Sequence, residues 1–157
     1  MEVIQLKKDN IFRVDIVDSE GKKTGEQLEF DLEDLELPFK LQECYKQHEQ
    51  NITDIKAKLL IIDKKKDSKG KGLLSKNEEA KLKAINEFYK KEQEALDLFL
   101  GENGTVKLLN GRKPYVGMFQ DISDLLEPIL PKLKLQEDSI IDRIKAKYSK
   151  KEDNIIE

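Results

Sequence analysis

Phe99-Leu100-Gly101-Glu102-Asn103-Gly104-Thr105-Val106-Lys107-Leu108-Leu109-Asn110-Gly111 is the stretch whose reading decides the fold. It reads as the end of one helix, a glycine-bounded corner, a very short helix and a second glycine stop. Gly101 suits the left-handed position just past a helix end, where the missing Cβ removes a steric penalty. Thr105 is placed to cap the next turn by accepting an orphan backbone N–H, and Gly111 to end that turn as Gly101 ended the one before. With Gly104 between them, these residues form a structural corner that sets the angle between two helical halves.

Upstream of the corner, Ser75-Lys76-Asn77-Glu78 is a capping box that opens a helix. Along that helix Leu82, Ile85, Tyr89, Glu92, Leu96 and Phe99 alternate spacings of three and four, with Phe88, Ala95 and Leu100 widening the apolar stripe. Glu92 interrupts the stripe, as a register device or as a residue at the helix edge, and the edge is the reading favoured here. Before it, Asp63-Lys64-Lys65-Lys66-Asp67-Ser68-Lys69-Gly70-Lys71-Gly72 has no apolar residue and reads as a mobile, solvated loop joining two antiparallel helices. Its glycines do not match a phosphate-binding loop, which needs a preceding strand and a Gly-Lys-Ser/Thr ending.

The earlier helix starts near Pro38, tolerable only in a first turn, with Asp31 or Asp34 expected as its cap, and runs to about Lys65. Leu41, Tyr45, His48, Ile52, Ile55, Leu59 and Ile62 alternate four and three and so share one coiled-coil-like seam. His48 has no second histidine or cysteine cluster for a metal site and reads as a hydrogen-bonded or rim residue. Ahead of it the chain is β in character. Val3, Ile4 and Leu6 precede Lys8-Asp9-Asn10, Phe12 to Ile16 alternate apolar and polar, a polar connection spans residues 18–25, and Glu26-Gln27-Leu28-Glu29-Phe30 alternates again. Such a small meander or hairpin is marginal alone, so its apolar side must lie on a helix or on another subunit.

Downstream, Pro114 suits a first helical position. Tyr115, Met118, Phe119, Ile122, Leu125, Leu126, Ile129 and Leu130 make a strong helical stripe, bent or stopped by Pro128 and Pro131. A weaker stripe of Ile140, Ile141, Ile144 and Tyr148 predicts a last charged helix, with residues 150–157 fraying. The expected class is α+β, mainly α: short antiparallel strands, a long helical hairpin, the corner and one or two further helices. Residues 1–131 form the strand-plus-helix domain, and residues 132–157 a charged C-terminal helix and tail.

Charged residues make up 39% of the 157 and the hydrophobic set 38%, a balance that suits amphipathic helices with wet faces. A net charge of -3 and the lack of a basic stripe with interleaved aromatics disfavour nucleic acid. The single cysteine, Cys44, leaves no internal disulfide or cysteine-based zinc site and fits a reducing compartment. With no membrane-spanning apolar run and no signal core at the start, the expectation is a soluble intracellular protein. Catalysis is not expected. A triad would have to use His48 in the middle of a seam, and Cys44 with His48 lacks oxyanion donors and a third group. No cofactor, metal or small-molecule substrate is therefore assigned.

The corner and its flanks carry a resemblance. Ala95-Leu96-Asp97-Leu98-Phe99-Leu100-Gly101-Glu102-Asn103-Gly104-Thr105, then Val106-Lys107-Leu108-Leu109-Asn110-Gly111-Arg112, then Tyr115, Met118, Phe119, Ile122, Leu125 and Leu126 resemble the tail assembly chaperones of long-tailed phages and prophages of Gram-positive bacteria. The short strands around Phe12-Arg13-Val14-Asp15 and Leu28-Glu29-Phe30 also resemble that family's β opening, so the likeness touches most of residues 1–130. The chain departs from the family at Asn103, which lengthens the corner, at Asn110-Gly111-Arg112, and in the lysine-rich loop. The resemblance implies a non-catalytic protein of the host cytoplasm that binds the tape measure protein, keeps it soluble, helps recruit tail tube protein and self-associates as a homo-oligomer. The alternative is a structural or adaptor coiled-coil module retained in a virion or secretion-type assembly. On either reading the protein-binding residues are Leu41, Tyr45, Ile52, Ile55, Leu59, Ile62, Tyr115, Met118, Phe119, Ile122, Leu125 and Leu126.

Overall fold

A computed structural model describes residues 1–6 and 10–156, with side chains except those of Gln136 and residues 149–156. The expected fraying of residues 150–157 is not what the backbone does, since the last helix continues to Ile156, and Glu157 lies outside the described residues. Two antiparallel strands, β1 (Ile11–Val17) and β2 (Lys23–Asp31), precede a helical hairpin of α1 (Leu37–Lys64) and α2 (Lys76–Leu100). Then come α3 (Gly104–Leu109), α4 (Met118–Leu126), a 3-10 turn (Glu127–Ile129) and α5 (Leu130–Ile156). The chain is thus α+β and mainly α. Residues 1–6, for all their apolar content, hold no regular structure.

Pairing of Phe12 with Phe30 and Val14 with Leu28 puts the apolar residues of both strands on one face. Ile16, Leu28 and Phe30 are buried there, and the Phe30 ring lies 5.2 Å from that of Phe99 on α2. β2 begins at Lys23, inside the connection expected to be loop. A bulge between Asp15 and Val17 sets Val17 opposite Lys23, Gly25 takes φ 86°, and the Thr24 hydroxyl donates to the Ile16 carbonyl (3.0 Å). The bulge adds local twist. Neither Asp31 nor Asp34 caps α1, whose N-cap is Glu36 without a side-chain bond. Each instead accepts a backbone N–H two residues on, Asp31 from Glu33 and Asp34 from Glu36, shaping the turns before Pro38.

Hydrogen bonds and ion pairs along the hairpin join His48 to Glu92, Lys58 to Glu87 and Asp63 to Lys81, so α1 and α2 run antiparallel. The capping box forms as expected, Ser75 Oγ accepting from Glu78 N–H and Glu78 Oε1 from Ser75 N–H. The intervening loop is tied at its ends. Asn77 Nδ2 donates to the Ile62 and Lys65 carbonyls, closing the C-terminus of α1, and Asp67 Oδ1 accepts from the Asn77 and Ser68 N–H groups. The seam of α1 is rotated from the expected one. Leu37, Cys44, Asn51 and Ile55 are its buried residues, while Tyr45 stands to one side.

The corner is real but differently made. Gly101 has φ 90° and ψ 175°, a region open only to glycine, rather than the left-handed helical position. Thr105 is not an accepting cap: its hydroxyl donates to Asp97 Oδ1 (2.6 Å), which also accepts the Thr105 N–H (2.9 Å). A carboxylate one turn before the helix end thus reaches forward and holds the next helix, and Thr105 is fully buried. A Cβ on Gly104 would fall 2.4 Å from Leu100 Cβ, so the chain doubles back this closely only with glycine there. Asn110 (φ 46°) and Gly111 (φ 85°) together end α3. The next helix then waits until Met118, after Gly117 at φ 88°, so Pro114 and Tyr115 lie in the extended lead-in and not in its first turn. Pro128 falls in the 3-10 turn that separates α4 from α5, the expected bend. Leu133 and Ile140 of α5 remain buried.

Candidate functional site

Two features of this fold have the chemistry of a site: a buried polar clamp between α1 and α2, and an apolar groove beside the sheet.

The clamp is centred on Glu92, 3% exposed, where the sequence placed it at the edge of the stripe. Its Oε1 accepts from Asn51 Nδ2 (2.9 Å) and its Oε2 lies 2.5 Å from His48 Nδ1. Asn51 Oδ1 in turn accepts from Gln47 (3.0 Å). The His48 ring stacks on Phe119 of α4 at 3.7 Å with an interplanar angle of 6°, and Tyr45 meets the same phenylalanine edge-on while its hydroxyl lies 2.5 Å from Ser123 Oγ. Phe119 therefore plugs α4 onto the hairpin through an aromatic stack backed by a carboxylate. His48 is a hydrogen-bonded histidine. Cys44 lies beside this cluster, and burial, with the nearby Glu92 charge adding, pushes its thiol up to about 12, so the thiolate nucleophile is suppressed. Among the described residues no group of three or more His, Cys, Asp or Glu side chains is arranged to hold a metal. Asn51 was not singled out in the sequence. The signal was there, since it sits three residues after His48 and four before Ile55.

The groove, of about 390 Å³, is bordered by β1, α3 and α4, with Leu108, Leu109, Leu125 and Ile129 among its apolar walls. At its mouth the Arg112 guanidinium lies 3.7 Å from the centre of the Tyr115 ring, and the Tyr115 hydroxyl donates to Asp121 Oδ2 (2.8 Å). That carboxylate, by accepting the bond, holds the phenol proton above its ordinary pKa.

The expected protein-binding residues divide. Met118, Phe119, Ile122, Leu126 and Ile55 are buried in the chain's own core, so in this conformation they support the surface rather than form it. Leu41, Ile52, Leu59, Ile62 and Tyr115 are half-buried, Tyr45 is 36% exposed and Leu125 is 66% exposed on the groove. Other apolar residues stand open that the sequence did not single out as binding residues. Leu60, Ile61, Leu73 and Leu82 cluster by sequence at the far end of the hairpin, and Ile141, Ile144 and Tyr148 recur at helical spacing along α5.

No helix among the described residues is long and apolar enough to cross a membrane. The fold is that of a strand hairpin seated on a helical hairpin, with a polar clamp between the long helices and apolar faces on the surface. Comparison with protein-family models, curated proteins and solved structures finds no match.

Proposed function

We propose that the protein is a non-catalytic phage tail assembly chaperone of the host cytoplasm, which binds the tape measure protein, keeps its apolar helices soluble and helps recruit tail tube subunits, working as a homo-oligomer. The observation that carries this reading is the set of apolar rows that leave the packed core half-open or more, at the hairpin tip and along α5. Rows of that kind on a chain that is 39% charged present helix-sized apolar faces while the rest of the surface stays wetted. The corner at residues 101–111 supports the same reading through the family resemblance. Its test is coexpression with a tape measure protein. The soluble fraction of that protein rises and the two copurify; an unchanged soluble fraction with no copurification rejects the proposal. Mass spectrometry of finished particles separates a chaperone, which is absent from them, from a retained structural module.

A further inference from the structure

We infer that the open edge of β1 is completed by residues 1–6 of a second copy of this chain, so that the protein pairs by exchanging β-arms. Among the described residues the sheet consists of β1 and β2, which leaves one edge of β1 without a strand. The ladder says which groups face that edge. Leu32 N–H donates to the Asn10 carbonyl (2.9 Å), Phe12 faces Phe30 and Val14 faces Leu28. Antiparallel alternation then turns the polar backbone of Asn10, Phe12 and Val14 toward β2, and that of Ile11, Arg13 and Asp15 toward the open side. The groove reaches this edge from beneath the sheet, since residues 14–17 of β1 border it in succession together with Leu28 of β2. A strand added there would bond Arg13 and Asp15 and drop every second side chain against Leu109, Leu125 and Ile129.

Residues 1–6 have the form of that strand. Val3, Ile4 and Leu6 are 79%, 100% and 92% exposed, an apolar segment with nothing packed on it. Extended, it spans roughly 20 Å, close to the roughly 23 Å of β1. Ile4 and Leu6, two apart, enter the groove, while Val3 and Gln5 point away. The arm stands free of its own β1 edge, and exchange between two copies makes the same contact twice around a twofold axis. The inference deepens the homo-oligomer part of the proposed function and is separable from its chaperone part, because a protein that stays monomeric yet solubilises a tape measure protein overturns the pairing and leaves the chaperone activity standing.

The test uses the full chain. Sedimentation velocity across a concentration series should show a dimer, with Arg13 and Asp15 amide hydrogens protected from exchange in the dimer. The double variant Ile4→Asp/Leu6→Asp changes only exposed arm residues and should retain the thermal midpoint of the parent monomer, measured below its dimerisation concentration, while weakening dimerisation at least roughly a hundredfold, through the loss of two buried apolar side chains at each of the two arms. Leu125→Asp, on the groove wall, should do the same from the other side. A monomer whose Arg13 and Asp15 amides are protected would mean that the arm closes on its own chain, and overturns the exchange. A dimer indifferent to both variants, or edge amides that exchange freely at every concentration, overturns it as well.

Discussion

Glu92→Ala is the sharpest probe of what holds the hairpin in register. Glu92 is 3% exposed and Asn51 1%, so removing the carboxylate leaves Asn51 Nδ2 buried without its acceptor, at about 1–3 kcal/mol. His48 loses the same partner, but its side chain is 26% exposed and can turn to water, which lowers that loss to about 1 kcal/mol. The space vacated by the missing side-chain atoms adds about 1 kcal/mol. The expected destabilisation is about 3 to 5 kcal/mol, a large share of the about 5–15 kcal/mol typical of a whole domain. The second arm of the experiment is Asn51→Leu/Glu92→Leu. It removes donor and acceptor together and fills the space with apolar atoms, so it should recover at least about 2 kcal/mol of that loss. Urea unfolding followed by circular dichroism measures both, with the slope on denaturant unchanged if only stability has moved. A cost below about 1 kcal/mol for Glu92→Ala, or a double variant no more stable than the single one, refutes the clamp as the register device between α1 and α2.

Other expectations follow from the same geometry. The Cys44 thiol, raised to about 12 by burial, should resist a disulfide reagent at pH 8 in the native protein and react at the ordinary rate once unfolded in urea. Thr105→Val keeps the shape of a fully buried side chain but deletes its bond to Asp97, and should cost about 1 to 2 kcal/mol in thermal or denaturant unfolding. The Asp67 carboxyl, held below its ordinary 3.8 chiefly by the Asn77 N–H and then by Ser75, should show a lowered NMR titration midpoint. Because its folded pKa lies below the unfolded one, its contribution is present above the unfolded value and is lost as pH falls through the lowered folded value; Asp67→Asn should remove that acid-side loss. Ile144→Asp, at a half-open position on α5, should leave the thermal midpoint nearly unchanged while abolishing copurification with a tape measure protein.

The order of elements was legible in the chain itself, because periodicity and end signals are local. Phe12 to Ile16 alternate with the period of a strand, Ser75 and Glu78 satisfy each other across one helical turn, and Pro128 lacks the N–H that would carry a helix onward. These properties need no distant neighbour, so strands, hairpin, corner and bend fall where the residues put them. What Glu92, Asn51 and Asp97 do was decided only in three dimensions. A carboxylate on an apolar stripe belongs at the edge unless partners from another helix meet it, and here Asn51 and His48 arrive from α1, more than forty positions away in sequence. Asp97 was hidden for a related reason, since the corner's two glycines and Asn103 fold the chain back until its carboxylate reaches Thr105. The same holds for the surface. A stripe shows that Met118, Leu125 and Ile144 share the period of a helix, but which of them meets the core depends on how helices cross, and that choice buried Met118 while leaving Leu125 and Ile144 exposed.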